Sequence, residues 1–338
     1  MQKPLILGYV TNRSLPTVTP EDACRLTHIN LAFATVRGGL ADISGLGNID
    51  KVKEMRAYNP SLKAVLSIGG WGAGGFSAMA MTENGRRAFA LSVEEILDRH
   101  ALDGVDIDWE YPCSSQAGID ADERDRENFT HLLKALREAA GERIVSIAAG
   151  AGEYFVRDTE MDKVSALLDY VQLMTYDMRG GFCRQAGHHS ALYPSAGDTP
   201  GRDAASAAEL FHDAGVPLEK LILGAAFYSR RWRGVPDIGY GLLQPADTAG
   251  EFGPGYGELI TGYIGKNGWT RHWDDTAKAP FLFNGSEFLS YDDSESIRHK
   301  CAYVLEKELG GIMYWEHGCD NTHSLLKVMA EHLADRGR

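Results

Sequence analysis

No apolar stretch of this 338-residue chain approaches 18 residues, so no membrane partner and no transmembrane helix are expected. The first apolar run, Leu5–Val10, is too short for the core of a secretory leader. The expected location is therefore cytoplasmic as written, the alternative being secretion with the leader removed from the sequence. Basic residues are outnumbered, with 34 Lys and Arg against 47 Asp and Glu and a net charge of −13. That field repels polyanions and excludes nucleic acid as an expected partner. Only five cysteines occur, Cys24, Cys113, Cys183, Cys301 and Cys319, with no CxxC pair. Neither a disulfide framework nor a zinc ribbon is implied, and reduced thiols are expected. Linkers, low-complexity tracts, internal repeats and a GxxxxGKS/T phosphate loop are also missing. What is present is a large core: 44% of residues are apolar and 24% charged, and 38 glycines imply many tight turns.

Short apolar runs alternate with amphipathic segments from end to end. Strands are expected at Leu5–Val10, His28–Val36, Ala64–Ile68, Gly104–Trp109, Ile144–Ala148, Tyr170–Thr175, Leu221–Phe227 and Gly311–Trp315. Most are apolar at nearly every position, as parallel strands covered on both faces are. Helices are expected near Arg86–His100, Asp122–Ala140, Ala204–Ala214, Ser294–Leu309 and Thr322–Leu333. Eight such alternations predict a (β/α)8 barrel over residues 1–338, with an open doubly wound sheet as the alternative. One interval, Arg230–Asp292, breaks the rhythm and is rich in Gly, Pro and aromatics. A structureless loop of that length is improbable in a compact domain. A small α+β subdomain, 231–290, is expected there, inserted between strand seven and the helix before strand eight.

The most informative segment is Asp103-Gly-Val-Asp-Ile-Asp-Trp-Glu-Tyr-Pro112. Strand side chains alternate faces, so Asp106, Asp108 and Glu110 share one face while Val105, Ile107 and Trp109 share the other. In a barrel the acidic row points inward and climbs to the mouth, where Glu110 lies. Carboxylates about 7 Å apart in a poorly solvated interior repel one another, so at least one is protonated near neutrality. Glu110 is the natural general acid. A magnesium or calcium site and a merely structural acidic face stay open on the residues alone. Asp103 breaks the parity and suits the turn entering the strand.

This segment resembles the DGxDxDWEYP signature of glycoside hydrolase family 18, the chitinases. Further resemblances follow in order along almost the whole chain. Ser67-Ile-Gly-Gly-Trp71 resembles SxGGW, and Met174-Thr-Tyr-Asp177 resembles MxYD. Ala226-Phe-Tyr-Ser-Arg230 is similar to FYGR, with Ser229 in place of glycine. Gly311-Ile-Met-Tyr-Trp-Glu316 is similar to GxMxWE, and Trp273-Asp-Asp and Ser290-Tyr-Asp292 resemble segments of the family's insertion domain.

The resemblance implies a nucleophile supplied by the substrate, the 2-acetamido oxygen of the sugar, with no cofactor and no metal. Glu110 would protonate the glycosidic oxygen and then activate water. Asp108 would orient the acetamido N–H, and Asp106, aided by Ser67, would share a proton with Asp108. Tyr176 would aim the acetamido oxygen at the anomeric carbon, Tyr228 would contact that group, and Asp177 would bind it or a hydroxyl. Trp315 would floor the sugar, with Tyr9, Phe33 and Met174 as walls. Arg230 would bind a sugar hydroxyl, and Trp71 and Trp273 would be platforms for neighbouring sugars. Met174, Phe33, Trp71 and Trp273 have core packing as their alternative.

Competing signals are weaker. Gly70, Gly72 and Gly75 formally match a dinucleotide loop, with Glu94 and Glu95 downstream, but the match lies on the third strand. His188-His189 and Glu316-His317 lack metal-ligand spacing. Sequons at Asn12, Asn128 and Asn284 decide nothing. The expected function is a retaining, endo-type hydrolase of chitin or chitooligosaccharides, acting as a monomer. Cleavage of N-glycan chitobiose cores, a silent chitin lectin and a metal-dependent barrel lyase or aldolase are the alternatives.

Overall fold

The computed structural model describes residues 3–199 and 201–334. Eight parallel strands form the barrel: β1 (Leu5–Thr11), β2 (His28–Arg37), β3 (Lys63–Gly69), β4 (Gly104–Asp108), β5 (Ile144–Gly150), β6 (Tyr170–Met174), β7 (Leu221–Ala226) and β8 (Gly311–Trp315). Each pairs with its neighbour in sequence, and β1 pairs with both β2 and β8, which closes the ring. The open-sheet alternative is thereby excluded; the fold is a (β/α)8 barrel. Among the described residues no helix is long and apolar enough to cross a membrane. All five cysteines are free.

The side-chain parity along β4 follows the pleat. Trp109, just past the strand, is buried outward between Phe76, stacked at 5.3 Å, and Phe129 at 5.9 Å. Register places Asp106 beside Ser67 of β3 on one side and Ser146 of β5 on the other, in one interior layer. Helix Asp125–Ala140 packs Phe129, Leu132, Leu133 and Leu136 on the barrel. It begins three residues later than its pattern suggests, because Asp125 accepts from the Asp122 N–H at 2.8 Å and makes that stretch a turn. The short helices Pro20–Arg25, Lys51–Tyr58, Phe76–Ala80, Glu153–Arg157 and Met161–Leu167, and the hairpin strand Leu40–Asp42, escape periodicity. Each is too brief to show a face.

A second, antiparallel sheet stands above the barrel. Its strand order is Glu251–Gly255, Tyr228–Arg233, Glu287–Ser290, Ala279–Phe283, Thr270–Asp274, with helix Tyr256–Gly262 beside it. Trp232, Phe281, Phe283 and Phe288 form its core. The sheet starts at Tyr228, before the expected 231, because only Phe227 separates it from the end of β7. The anchor on the other side is a fully buried ion pair, Lys300 Nζ to Asp292 Oδ2 at 2.6 Å.

Candidate active site

At the C-terminal ends of the strands lies a cavity of about 580 Å3. Eleven of the fourteen residues singled out from the sequence line it: Tyr9, Phe33, Trp71, Asp108, Glu110, Met174, Tyr176, Asp177, Tyr228, Arg230 and Trp315. The floor is aromatic. Trp315 stacks on Phe33 at 5.3 Å, with Tyr9 at 5.8 Å.

Asp106 and Ser67 lie beneath this cavity rather than in it. Asp106 is fully buried and accepts four hydrogen bonds: from Tyr9 and Ser67 on Oδ2, at 2.9 and 2.8 Å, and from Ser146 and Gln172 on Oδ1, both at 2.8 Å. Burial raises its carboxyl, and the four donors oppose that shift. Each Asp106 oxygen thus accepts two donors.

Asp108 is the contrasting case. It is buried, and its Oδ1 has no hydrogen-bond partner. Burial first, then Glu110 and Asp106, push its carboxyl well above the usual range. Glu110 is pushed up to about 7, mainly by burial; a hydrogen bond from Tyr111 opposes this and Asp177 adds to it. Burial thus favours the protonated form of both neighbouring carboxyls, which titrate as a pair. The Tyr176 hydroxyl meets only the weak acceptor Met313 Sδ, at 3.9 Å.

The Ser67–Trp71 segment supplies the space for this arrangement. Gly69 has φ +127°, and a Cβ there would lie 2.0 Å from the Asp108 carbonyl oxygen, which accepts from the Gly70 N–H at 2.9 Å. Gly69→Ala is expected to displace Asp108 and destabilise the fold by about 1–3 kcal/mol, read as a lower midpoint in denaturant unfolding.

Asp177, also at a positive φ of 56°, receives a two-pronged ion pair from Arg230 and lies 3.4 Å from His189 Nδ1. Burial pushes Asp177 up, but the bonds from His189 and Arg230 outweigh it and hold the carboxylate well below its ordinary range. Arg230 is thus engaged with Asp177, with the Gly250 carbonyl at 3.1 Å and with the Phe252 ring at 3.6 Å. His189 is a residue that spacing failed to assign; its part is to buttress Asp177.

Trp273 is not in the cavity. It sits on Thr270–Asp274, the strand farthest in the inserted sheet from Glu251–Gly255, and packs against His299 and Arg271. Phe252 of the near strand takes the rim instead, 71% exposed, with Trp71 at 53% and Phe182 at 76%. Tyr111, Tyr154 and Gln116 also line the cavity, with Ala148, Gly180 and Gly181. Of these only Tyr111 had a signal, its place in the acidic motif. The dinucleotide-like glycines are also resolved: the Gly75 and Ala78 amides already bind the Asp120 carboxylate, at 2.8 and 3.0 Å. Asp103 accepts from the Ala64 N–H at 2.8 Å and pairs with Arg56 and Lys63, so it holds the strand entry.

The family model for glycosyl hydrolases family 18 matches residues 5–320. The chain belongs to that family. A solved family 18 N-acetylglucosaminidase from Paenibacillus barengoltzii is 49% identical, with a TM-score of 0.96 over 97% of this chain and 99% of that one. Chitinase A1 of Niallia circulans is 37% identical over 330 residues, 90% of this chain. Chitotriosidase-1 of Mus musculus is 32% identical over 325 residues, covering 90% of this chain and 68% of the relative. This family 18 chain spans about half the length, 47%, of Chitinase A1. Within the family fold, the acidic motif places Asp108 and Glu110 on the cavity wall and keeps Asp106 buried outside its lining.

Proposed function

We propose that the chain is a retaining hydrolase of β-1,4-linked N-acetylglucosamine polymers and oligomers, working through the substrate's own 2-acetamido group. The observation that carries this reading is the unequal treatment of the carboxyls, with Glu110 near 7 at the mouth and Asp108 buried with an unpartnered oxygen. Glu110, protonated, donates to the glycosidic oxygen as the bond to C1 breaks. The acetamido oxygen attacks C1 and closes an oxazolinium ring. Asp108, giving up its proton to solvent as the substrate binds, accepts the acetamido N–H on Oδ1, and its negative charge is stabilised by the positive ring. Tyr176 donates its hydroxyl to the acetamido oxygen and aims it. Water then attacks C1 and gives its proton to Glu110, so the acid is restored and the β-configuration kept. The aromatic floor suits the apolar C–H face of a pyranose.

Exposed rings at the rim of the cavity, Trp71, Phe182 and Phe252, offer platforms to sugars beyond the reacting one and favour internal cleavage of a chain that extends past the site. The similarity to an N-acetylglucosaminidase supports a second reading, release of single sugars. A time course on chitohexaose separates them. Products of two to four units at the earliest times are expected; monomer from the outset would assign the second reading. By NMR the first-formed products are expected as β-anomers, and initial α-anomers would overturn the mechanism.

A further inference from the structure

A second depression, of about 450 Å3, lies beyond the C-terminal ends of β1 and β8 and shares no lining residue with the catalytic cavity. His317 and His323 line it, and Asp22 lies beside them, fully buried. One ligand atom from each of these three residues lies within 4.8 Å of the others. His323 Nδ1 is 2.8 Å and His317 Nε2 3.7 Å from Asp22 Oδ2. Neither nitrogen makes a hydrogen bond, although both are buried. Two unpartnered ring nitrogens facing one carboxylate oxygen are unusual, because buried polar atoms are normally satisfied.

We propose that Asp22, His317 and His323 hold a divalent transition cation of the zinc class, bound as a structural staple with water from the depression as its fourth ligand. Tetrahedral zinc with ligands at about 2.0–2.1 Å sets its donors about 3.3 Å apart, and the two measured separations straddle that value. His317 Nδ1 lies 3.1 Å from the Tyr314 hydroxyl, an arrangement that frees Nε2 for a metal when the ring N–H is on Nδ1. Tyr314 is itself fixed by stacking on Phe227 at 4.1 Å. Asp22 Oδ2 is oriented by the Thr19 N–H and hydroxyl, at 3.0 and 2.7 Å.

The position gives the staple a purpose. Asp22 is in the helix after β1, His317 follows β8, and His323 precedes the final helix, Ser324–Ala334. A cation there would join the first and last units of the barrel across the seam where the ring closes. Because the catalytic cavity is separate, the cation would add stability and leave turnover alone.

The test is titration of the intact chain with zinc by calorimetry and with cobalt by visible absorption. One ion per chain is expected, with the intense bands of tetrahedral cobalt and a thermal midpoint that rises with zinc and falls with EDTA at unchanged initial rate. His317→Ala and His323→Gln are each expected to weaken binding about 10-fold or more. His323, partly exposed, is the variant least able to disturb folding, and far-UV circular dichroism checks it. Absence of binding at 100-fold excess zinc, or equal affinity in the wild type and both variants, would overturn the proposal.

Discussion

Glu110→Gln is expected to lower kcat on a chitotriose substrate by about 10³-fold, within the range a lost general acid–base group accounts for. The amide keeps the shape of the side chain but cannot give up a proton, whereas the wild-type carboxyl, near 7, can do so in neutral solution. The same value sets the pH profile. A general acid must be protonated, so kcat/KM is expected to hold below about 7 and fall as pH rises through it. The apparent pKa belongs to the Glu110–Asp108 pair, since the two titrate together. Stability runs in parallel with the sign of the shift. A carboxyl raised on folding stabilises the protein below its unfolded value and loses that contribution as pH rises through its folded one. Glu110→Gln has nothing to ionise, so above pH 7 its thermal midpoint is expected to match or exceed that of the wild type. Wild-type turnover in the variant would overturn the assignment, and a lower midpoint would expose a folding defect instead.

Lys300→Met is expected to destabilise the chain by about 3–5 kcal/mol, measured as a lower midpoint and free energy in denaturant unfolding. Removing one member of a buried pair leaves the other charge uncompensated, which is the costly way to break such a pair. Lys300 and Asp292 are both fully buried, at 2.6 Å. Asp292 also accepts from the Ala226 N–H, Ser190 and Ser296, at 3.0, 3.0 and 2.8 Å. It therefore ties the end of β7, the loop after β6 and helix Ser294–Glu306 together under the inserted sheet. Adding Asp292→Asn to Lys300→Met removes the stranded charge and is expected to restore part of the loss. A single variant that unfolds with the wild type would show that the pair contributes nothing.

Legibility in the sequence tracked the range of the interaction. Strand and helix periods are local, so eight strands and the long helices could be read, while five-residue helices could not. The common face of Asp106, Asp108 and Glu110 follows from the two-residue repeat and needs no partner. The fate of each carboxyl does need partners. Asp106 is satisfied by Tyr9 of β1, Ser67 of β3, Ser146 of β5 and Gln172 of β6, which only a closed barrel brings together. Trp273 shows the opposite outcome: an aromatic in the right segment, carried away from the cavity by its place in the sheet order.

The sequence by itself determined the barrel class and the inward acidic row, because pleat and helix periodicity are properties of neighbouring residues, while the residues that line the cavity were implied by the resemblance of its motifs to family 18. The tertiary structure decided how burial and partners treat each carboxyl, that Asp177 is clamped by Arg230 and His189, and that Asp22 meets His317 across the seam. Those depend on closure, register and burial, which set the distances between residues far apart in the chain and leave no mark in any local pattern.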